Sequence, residues 1–246
     1  MTDNSFVQGD CLELMSELPE HSIDAVICDL PYGITSQNPW DRVLPPDKLW
    51  THYKRIVKPT GAIVLFAAMP YAAHLILENE KNFRYDLVWA KNKVTGFLNA
   101  KRMPLRQHEN ILVFYSRRGT YNVQKTGGHQ PVHAFTKRTS DGPTYGATKL
   151  EVRGGGSTER YPTSMLQFPV VNNDSADRVH PSQKPLPLIE FLVKSYTNEN
   201  DVVLDNCAGS GTTAIACLRN NRRFICMESE QQYVDIARQR IACQSS

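Results

Sequence analysis

The chain has 246 residues, a formal net charge of +3 at neutral pH, and 41% hydrophobic against 22% charged residues. That length suits one sizeable domain with an elaboration, and the composition supplies a packed core. No apolar run approaches the roughly 18 residues of a membrane span, and no basic stretch followed by an apolar run marks a signal peptide, so a cytoplasmic protein is expected.

Short apolar, β-branched runs alternate with helical patterns over most of the chain. Strands are expected at Ser5–Val7, Ile23–Cys28, Ala62–Ala67, Tyr85–Ala90 and Ile111–Tyr115, then at Val202–Leu204 and Phe224–Met227. Helices are expected at Cys11–Leu18, Asp47–Val57, Tyr71–Glu80, Leu188–Tyr196, Thr212–Asn220 and Glu230–Ile241. Lys58-Pro59-Thr60-Gly61 and Asn198–Asn200 supply breaks. Such alternation implies an α/β fold with a mostly parallel sheet covered by helices.

The alternation fails from about Lys125 to Asp177. Seven of the 14 glycines lie between Gly127 and Gly156, so this segment buries little apolar surface by itself. It overlaps a basic stretch. Residues 91–160 hold 13 Lys/Arg against 4 Asp/Glu, a local balance of +9, and the rest of the chain carries −6. A basic middle on an acidic body points to a polyanionic partner. Lys101, Arg102, Arg106, Arg117, Arg118, Lys137, Arg138 and Arg153 are its candidate phosphate or base-edge contacts.

The six cysteines (11, 28, 207, 217, 226 and 243) form no C-x-x-C pair and mostly sit in apolar runs, which reads as free buried thiols in a reducing compartment. No zinc site or other metal is expected. The seven histidines stand outside any triad-like pattern and read as structural or surface residues, with His180 the one to test.

Val202–Thr213 reads as strand, carboxylate, glycine-rich turn and helix start. Small residues at Ala208, Gly209 and Gly211 let the backbone turn sharply and approach a ligand. Glu228 follows Asp205 at the end of the next strand, where a carboxylate can grip ribose hydroxyls. The turn lacks the lysine of a triphosphate-binding loop, so a phosphate-free nucleoside such as S-adenosylmethionine suits it better.

Asp24–Cys28 runs directly into Asp29-Leu30-Pro31-Tyr32. These residue types suit methyl transfer to an aromatic amine, whose lone pair is delocalised into the ring. Acceptors for both N–H bonds favour the rehybridised nitrogen as positive charge develops. Asp29 offers a carboxylate, Leu30 a carbonyl, Pro31 a fixed turn, and Tyr32 a ring on which an extruded base can stack. Trp40-Asp41, just behind, either walls a base pocket or caps the following loop.

The chain resembles the β class of DNA amino-methyltransferases, in which a D-P-P-Y segment precedes the target-reading region and the cofactor turn comes last. Here the order is Asp29–Tyr32, the basic insert, then Asp205–Thr213. His180-Pro181-Ser182-Gln183-Lys184-Pro185 resembles the family's H-P-T-Q-K-P segment, and Gly9-Asp10-Cys11 the segment whose Asp contacts the cofactor adenine. The matches span Gly9 to Glu228. Leu30 departs from the usual Pro, and Cys207 stands where the family carries an aromatic residue.

The resemblance implies a Rossmann-like, seven-stranded methyltransferase sheet in circularly permuted order, a single domain over 1–246 with a target-recognition insert near 92–178. It implies S-adenosyl-L-methionine held by Asp10, Cys11, Ser182, Lys184, Asp205, Ala208, Gly209, Gly211, Thr212 and Glu228. Lys184 is a candidate partner for the cofactor carboxylate. Double-stranded DNA is the implied partner and a homodimer a possible state. Asp29 at the head of the tetrapeptide, rather than the Ser typical of cytosine-N4 enzymes, points to adenine N6. Cytosine N4, RNA, a protein amide, and DNA binding without catalysis are the alternatives.

Overall fold

The apolar strands sort their side chains by alternation, and the two resulting faces define the molecule. In a computed structural model, which describes residues 3–33, 42–137, 141–142, 146–147, 152–172 and 178–244, β2 (Ile23–Asp29), β3 (Val57–Ala67) and β5 (Arg106–Phe114) lie at the centre of an eight-stranded sheet. Ala62, Val64 and Phe66 of β3 face one core cluster, while Ile63, Leu65 and Ala67 face the other. Burial on both faces explains why these strands read as unbroken apolar runs.

Helices cover each face. On one side lie α1 (Cys11–Ser16), α2 (Pro46–Ile56) and α3 (Tyr71–Glu78), which contribute Met15, Trp50, Tyr53 and Leu75. On the other lie α4 (Leu186–Tyr196), α5 (Thr212–Arg219) and α6 (Gln231–Ala242), with Leu192, Ala216 and Val234. The remaining strands of the sheet are β1 (Ser5–Gln8), β4 (Phe83–Thr95), β10 (Met165–Gln167), β11 (Val202–Asp205) and β12 (Arg223–Glu228).

The strand order is β1-β12-β11-β2-β3-β5-β4-β10, with β5 antiparallel to both neighbours and every other pairing parallel. From β2 the chain moves through α2 to β3 on one side; from β11 it moves through α5 to β12 on the other. The order in which strands are added therefore reverses between the parallel neighbours β11 and β2, and a crevice opens beyond their carboxyl ends. The α/β fold agrees with the sequence, and β10 adds an eighth strand to the expected seven.

Three details differ from the sequence reading. β3 begins at Val57, directly after α2, and Ile23 pairs with Val57 before the register shifts across Lys58–Gly61. Asp24 anchors that shift by accepting from Lys58 at 2.5 Å and from the Val202 amide at 2.9 Å. β4 and β5 also run well past their apolar segments, as a polar hairpin to Thr95 and back from Arg106. Finally, β10 falls inside the stretch expected to be irregular, and of its three residues Leu166 alone is buried to signal it.

The chain divides into two compact units, Met1–Asn122 with Ser164–Ser246, and Val123–Thr163. Residues 92–95 and 106–114 of the expected insert thus continue strands of the main sheet. In the smaller unit β6 (Phe135–Lys137) pairs antiparallel with β9 (Val152–Gly154), and β7 (Asp141–Gly142) with β8 (Gly146–Ala147). Thr126 and Arg160 exchange backbone bonds of 3.0 and 2.8 Å. Gly155 has φ +146°, and a side chain there would meet Ala134 Cα at 2.6 Å, so glycine is required. Trp40-Asp41 and Arg138 lie outside the described residues.

Candidate active site

The carboxyl ends of β1, β12, β11, β2 and β3 border a cavity of about 800 Å³. All four residues of the tetrapeptide line it, as do all ten candidate cofactor residues except Gly211. The site is thus assembled from segments distant in sequence.

The glycine-rich turn is shaped by its own carboxylates. Buried Asp205 accepts from the Thr213 hydroxyl at 2.6 Å and from the Cys207 amide at 3.1 Å. Burial pushes its carboxyl up to about 6. Glu228 accepts from the Gly209 amide at 2.8 Å and from the Glu230 amide at 2.9 Å. The Ser229 hydroxyl also donates to Glu228 Oε1 at 3.3 Å, whereas Oε2, bonded to the Gly209 amide, keeps further lone-pair capacity. Gly209 has φ +50°, and a Cβ there would find only the His180 ring, at 3.8 Å or beyond. Gly211, at φ +79°, instead packs against Ala237 and caps α5, so it shapes the turn from behind.

Asp10 caps α1 by accepting from the Leu12 amide at 2.8 Å and the Glu13 amide at 3.4 Å. Cys11 is buried on the first turn of that helix. Ser182 donates its amide to His180 Nδ1 at 3.1 Å, and the imidazole packs edge-on against Tyr233 at 4.2 Å between centroids. Burial, with the charges of Lys184 and Arg178, lowers His180 to about 4. The ring is neutral, with Nδ1 as acceptor. Gln183 accepts from the Val179 amide at 3.1 Å and from the Ser210 hydroxyl at 3.4 Å, tying this segment to the turn.

Around Asp29 the structure adds what the motif did not contain. Tyr32 donates its hydroxyl to Asp29 Oδ1 at 2.5 Å, and Lys184 Nζ bonds Asp29 Oδ2. Lys184 Nζ also lies 3.2 Å from Glu109 Oε2, and Glu109 Oε1 in turn bonds Lys91. Burial pushes Asp29 up, opposed by Lys184. Burial acts to lower Lys184, yet Asp29 and Glu109 outweigh it and hold the ammonium above its ordinary value. Burial acts against ionised Glu109 too, but Lys184 and Lys91 keep it below the usual carboxylate range. The result is an alternating row of charges: Asp29, Lys184, Glu109, Lys91.

Lys184, expected to meet the cofactor carboxylate, is therefore engaged by Asp29 and Glu109. Lys91 and Glu109 were missed because they lie on the polar extensions of β4 and β5, where no apolar alternation signals a strand. The side chain of Leu30 is buried, a member of the core cluster that includes Tyr53 and Leu49. That burial gives the second position a role proline would not fill.

The candidate DNA contacts separate. Lys101, Arg102 and Arg106 are exposed at the cavity end of the β4–β5 hairpin, and Arg106 lines the cavity. Arg117 and Arg118 follow the other end of β5, where the Arg117 amide donates to Pro59 at 2.9 Å. They sit at the end of the sheet opposite Asp29. Lys137 and Arg153 belong to β6 and β9 of the smaller unit.

Comparisons with known proteins agree with this geometry. A family model described as DNA methylase, covering the N6 and N4 methyltransferases, matches residues 23–239. The type II methyltransferase M.BglII of Bacillus subtilis is 30% identical over 96% of this chain and 68% of that protein. The type II methyltransferase M.HpaI of Haemophilus parainfluenzae is 27% identical over 97% of this chain and 74% of its own. Among solved structures, the M1.HpyAVI–SAM complex superposes with a TM-score of 0.62 at 25% identity, covering 96% of this chain and 98% of that one. The cytosine-N4-specific PvuII DNA methyltransferase shares the fold, with a TM-score of 0.66 at 17% identity over 99% of this chain and 92% of that one.

Proposed function

The chain belongs to the DNA methylase family of N6 and N4 methyltransferases, and from that premise we propose that it transfers a methyl group from S-adenosyl-L-methionine to adenine N6 in DNA. The observation that carries the choice of base is Asp29, an aspartate at the head of the tetrapeptide, standing in one cavity with the glycine-rich turn. The family model covers N6 and N4 methyltransferases alike, so the family alone leaves the base open.

The cavity fits the cofactor. Gly209 leaves its backbone open toward it, Glu228 and Asp10 present carboxylates, and the turn has no phosphate-binding lysine. Glu228 would take the ribose hydroxyls, and Ser182 with the Ala208–Thr212 turn would hold the remainder. When bound, the cofactor supplies an electrophilic methyl group.

The chain's own residues prepare the amine. Asp29 Oδ1 already accepts one hydroxyl bond from Tyr32, and an amino N–H replaces that bond when a base enters. Lys184 holds Oδ2, which favours the anionic carboxylate against burial and fixes its orientation. The Leu30 carbonyl serves as the second acceptor, and the freed Tyr32 ring stacks on the base. No covalent enzyme intermediate is required, so the thiols of Cys11 and Cys28 have no nucleophilic part. The exposed basic residues of the β4–β5 hairpin would hold the duplex.

Incubation with methyl-labelled cofactor and DNA, followed by digestion to nucleosides, tests this directly. Label in N6-methyl-2′-deoxyadenosine is the expected result. Label in N4-methylcytosine would overturn the choice of adenine and leave the family assignment intact.

A further inference from the structure

We propose that the tip of the β4–β5 hairpin is a wedge that enters the DNA duplex and fills the space vacated by the target base. The proposal rests on the methyltransferase reading above and adds the element that opens the duplex.

The hairpin tip presents apolar side chains to solvent. Leu98 is 101% exposed, Phe97 66% and Met103 59%. Apolar groups so fully exposed on consecutive positions need a partner. The loop is also ordered by its own bonds. Gly96 takes φ +94°, Phe97–Asn99 form a single 3-10 turn, and Arg102 and Met103 donate back to Asn99 at 2.8 and 3.0 Å. A rigid apolar tip loses little conformational entropy when it inserts.

Its surroundings select the partner. Lys93, Lys101, Arg102 and Arg106 flank the tip and are all exposed, which suits a polyanion and disfavours an apolar protein groove. The root of the same hairpin forms part of the cavity wall, through Lys91, Thr95, Arg106 and Glu109. A duplex held by the flanking charges would therefore meet the tip beside the pocket that receives its base. Apolar wedges between base steps are an established way to unstack DNA, at a cost of about a few kcal/mol per step.

The test uses the full-length protein and two duplexes carrying the same methylation site, mapped beforehand by modified-base sequencing. In one the target base is correctly paired; in the other it faces an abasic site and needs no unpairing. Leu98→Ala and Phe97→Ala remove exposed side chains and leave the core intact. We expect each to slow methylation of the paired duplex at least tenfold and to stay within threefold of the wild-type protein on the abasic duplex. With 2-aminopurine at the target, the fluorescence gain on binding should fall in the same variants. Leu77→Ala, an equally surface-exposed apolar truncation on α3 (73% exposed), should change neither rate. Equal losses on both duplexes, or wild-type rates on the paired one, would overturn the wedge. Wild-type label transfer reports separately on the methyltransferase reading.

Discussion

Lys184 and Asp29 are 155 residues apart in sequence and joined by an ion pair at the carboxyl end of β2. The pair is enclosed, with the Lys184 side chain only 9% exposed, so the ammonium is the main influence holding the aspartate ionised against burial. Replacing Lys184 with Met should raise the Asp29 carboxyl further, since burial and Glu109 are then opposed by the Tyr32 hydrogen bond without the ammonium. Because the ionised carboxylate is the form that accepts the amine, the acidic limb of the rate–pH profile should move to higher pH by at least about one unit, with kcat reduced on the order of a hundredfold. A profile of kcat/KM from pH 5 to 9 measures this. An unmoved acidic limb would show that Lys184 does not act through Asp29.

Glu109 holds Lys184 from the other side, and Lys91 holds Glu109. Glu109→Gln should leave buried Lys184 and part-buried Lys91 facing each other without the intervening charge. We expect kcat to drop roughly tenfold with the cofactor Kd little changed, since Glu109 acts by positioning Lys184. A loss confined to cofactor affinity would contradict that role.

Glu228 accepts from the Gly209 amide of the turn and from the Glu230 amide before α6, and it lines the cavity. Glu228→Ala should weaken cofactor binding at least tenfold, about 1.4 kcal/mol or more, as measured by titration calorimetry. Asp29→Ala should abolish methylation with cofactor affinity within threefold of the wild-type value. The two variants therefore separate binding from chemistry, and reversal of the pattern would exchange the assigned roles.

His180 is neutral in the folded protein, lowered to about 4 by burial and nearby cations, against an ordinary value of 6.5. A depressed histidine makes the unfolded chain bind more protons between those values. Its contribution to stability is complete above pH 6.5 and is lost as pH falls toward 4, on the order of 3 kcal/mol. His180→Asn retains an acceptor for the Ser182 amide and removes the titration. The stability difference between wild type and variant, followed by urea unfolding from pH 7.5 to 4.5, should shift in favour of the variant as the pH falls. A constant difference would rule out His180 as the titrating group.

The sequence by itself determined the alternating strands and helices, the turn after β11 and the tetrapeptide after β2. In each, the signal is local: apolar runs buried on two faces, glycines that permit a sharp turn, and a carboxylate at a strand end. The permuted order of the motifs was legible for the same reason. Tertiary structure decided who meets Asp29. Lys184 read as a loop lysine facing the cofactor, and Glu109 and Lys91 carried no signal, because ion pairing between β2, β4, β5 and the segment before α4 depends on strand order rather than spacing. Register likewise sent Arg117 and Arg118 to the far end of the sheet while Arg106 stayed at the cavity, since an antiparallel strand carries its two ends to opposite edges. Local chemistry named the acceptor, and only the assembled sheet could supply its counter-charge.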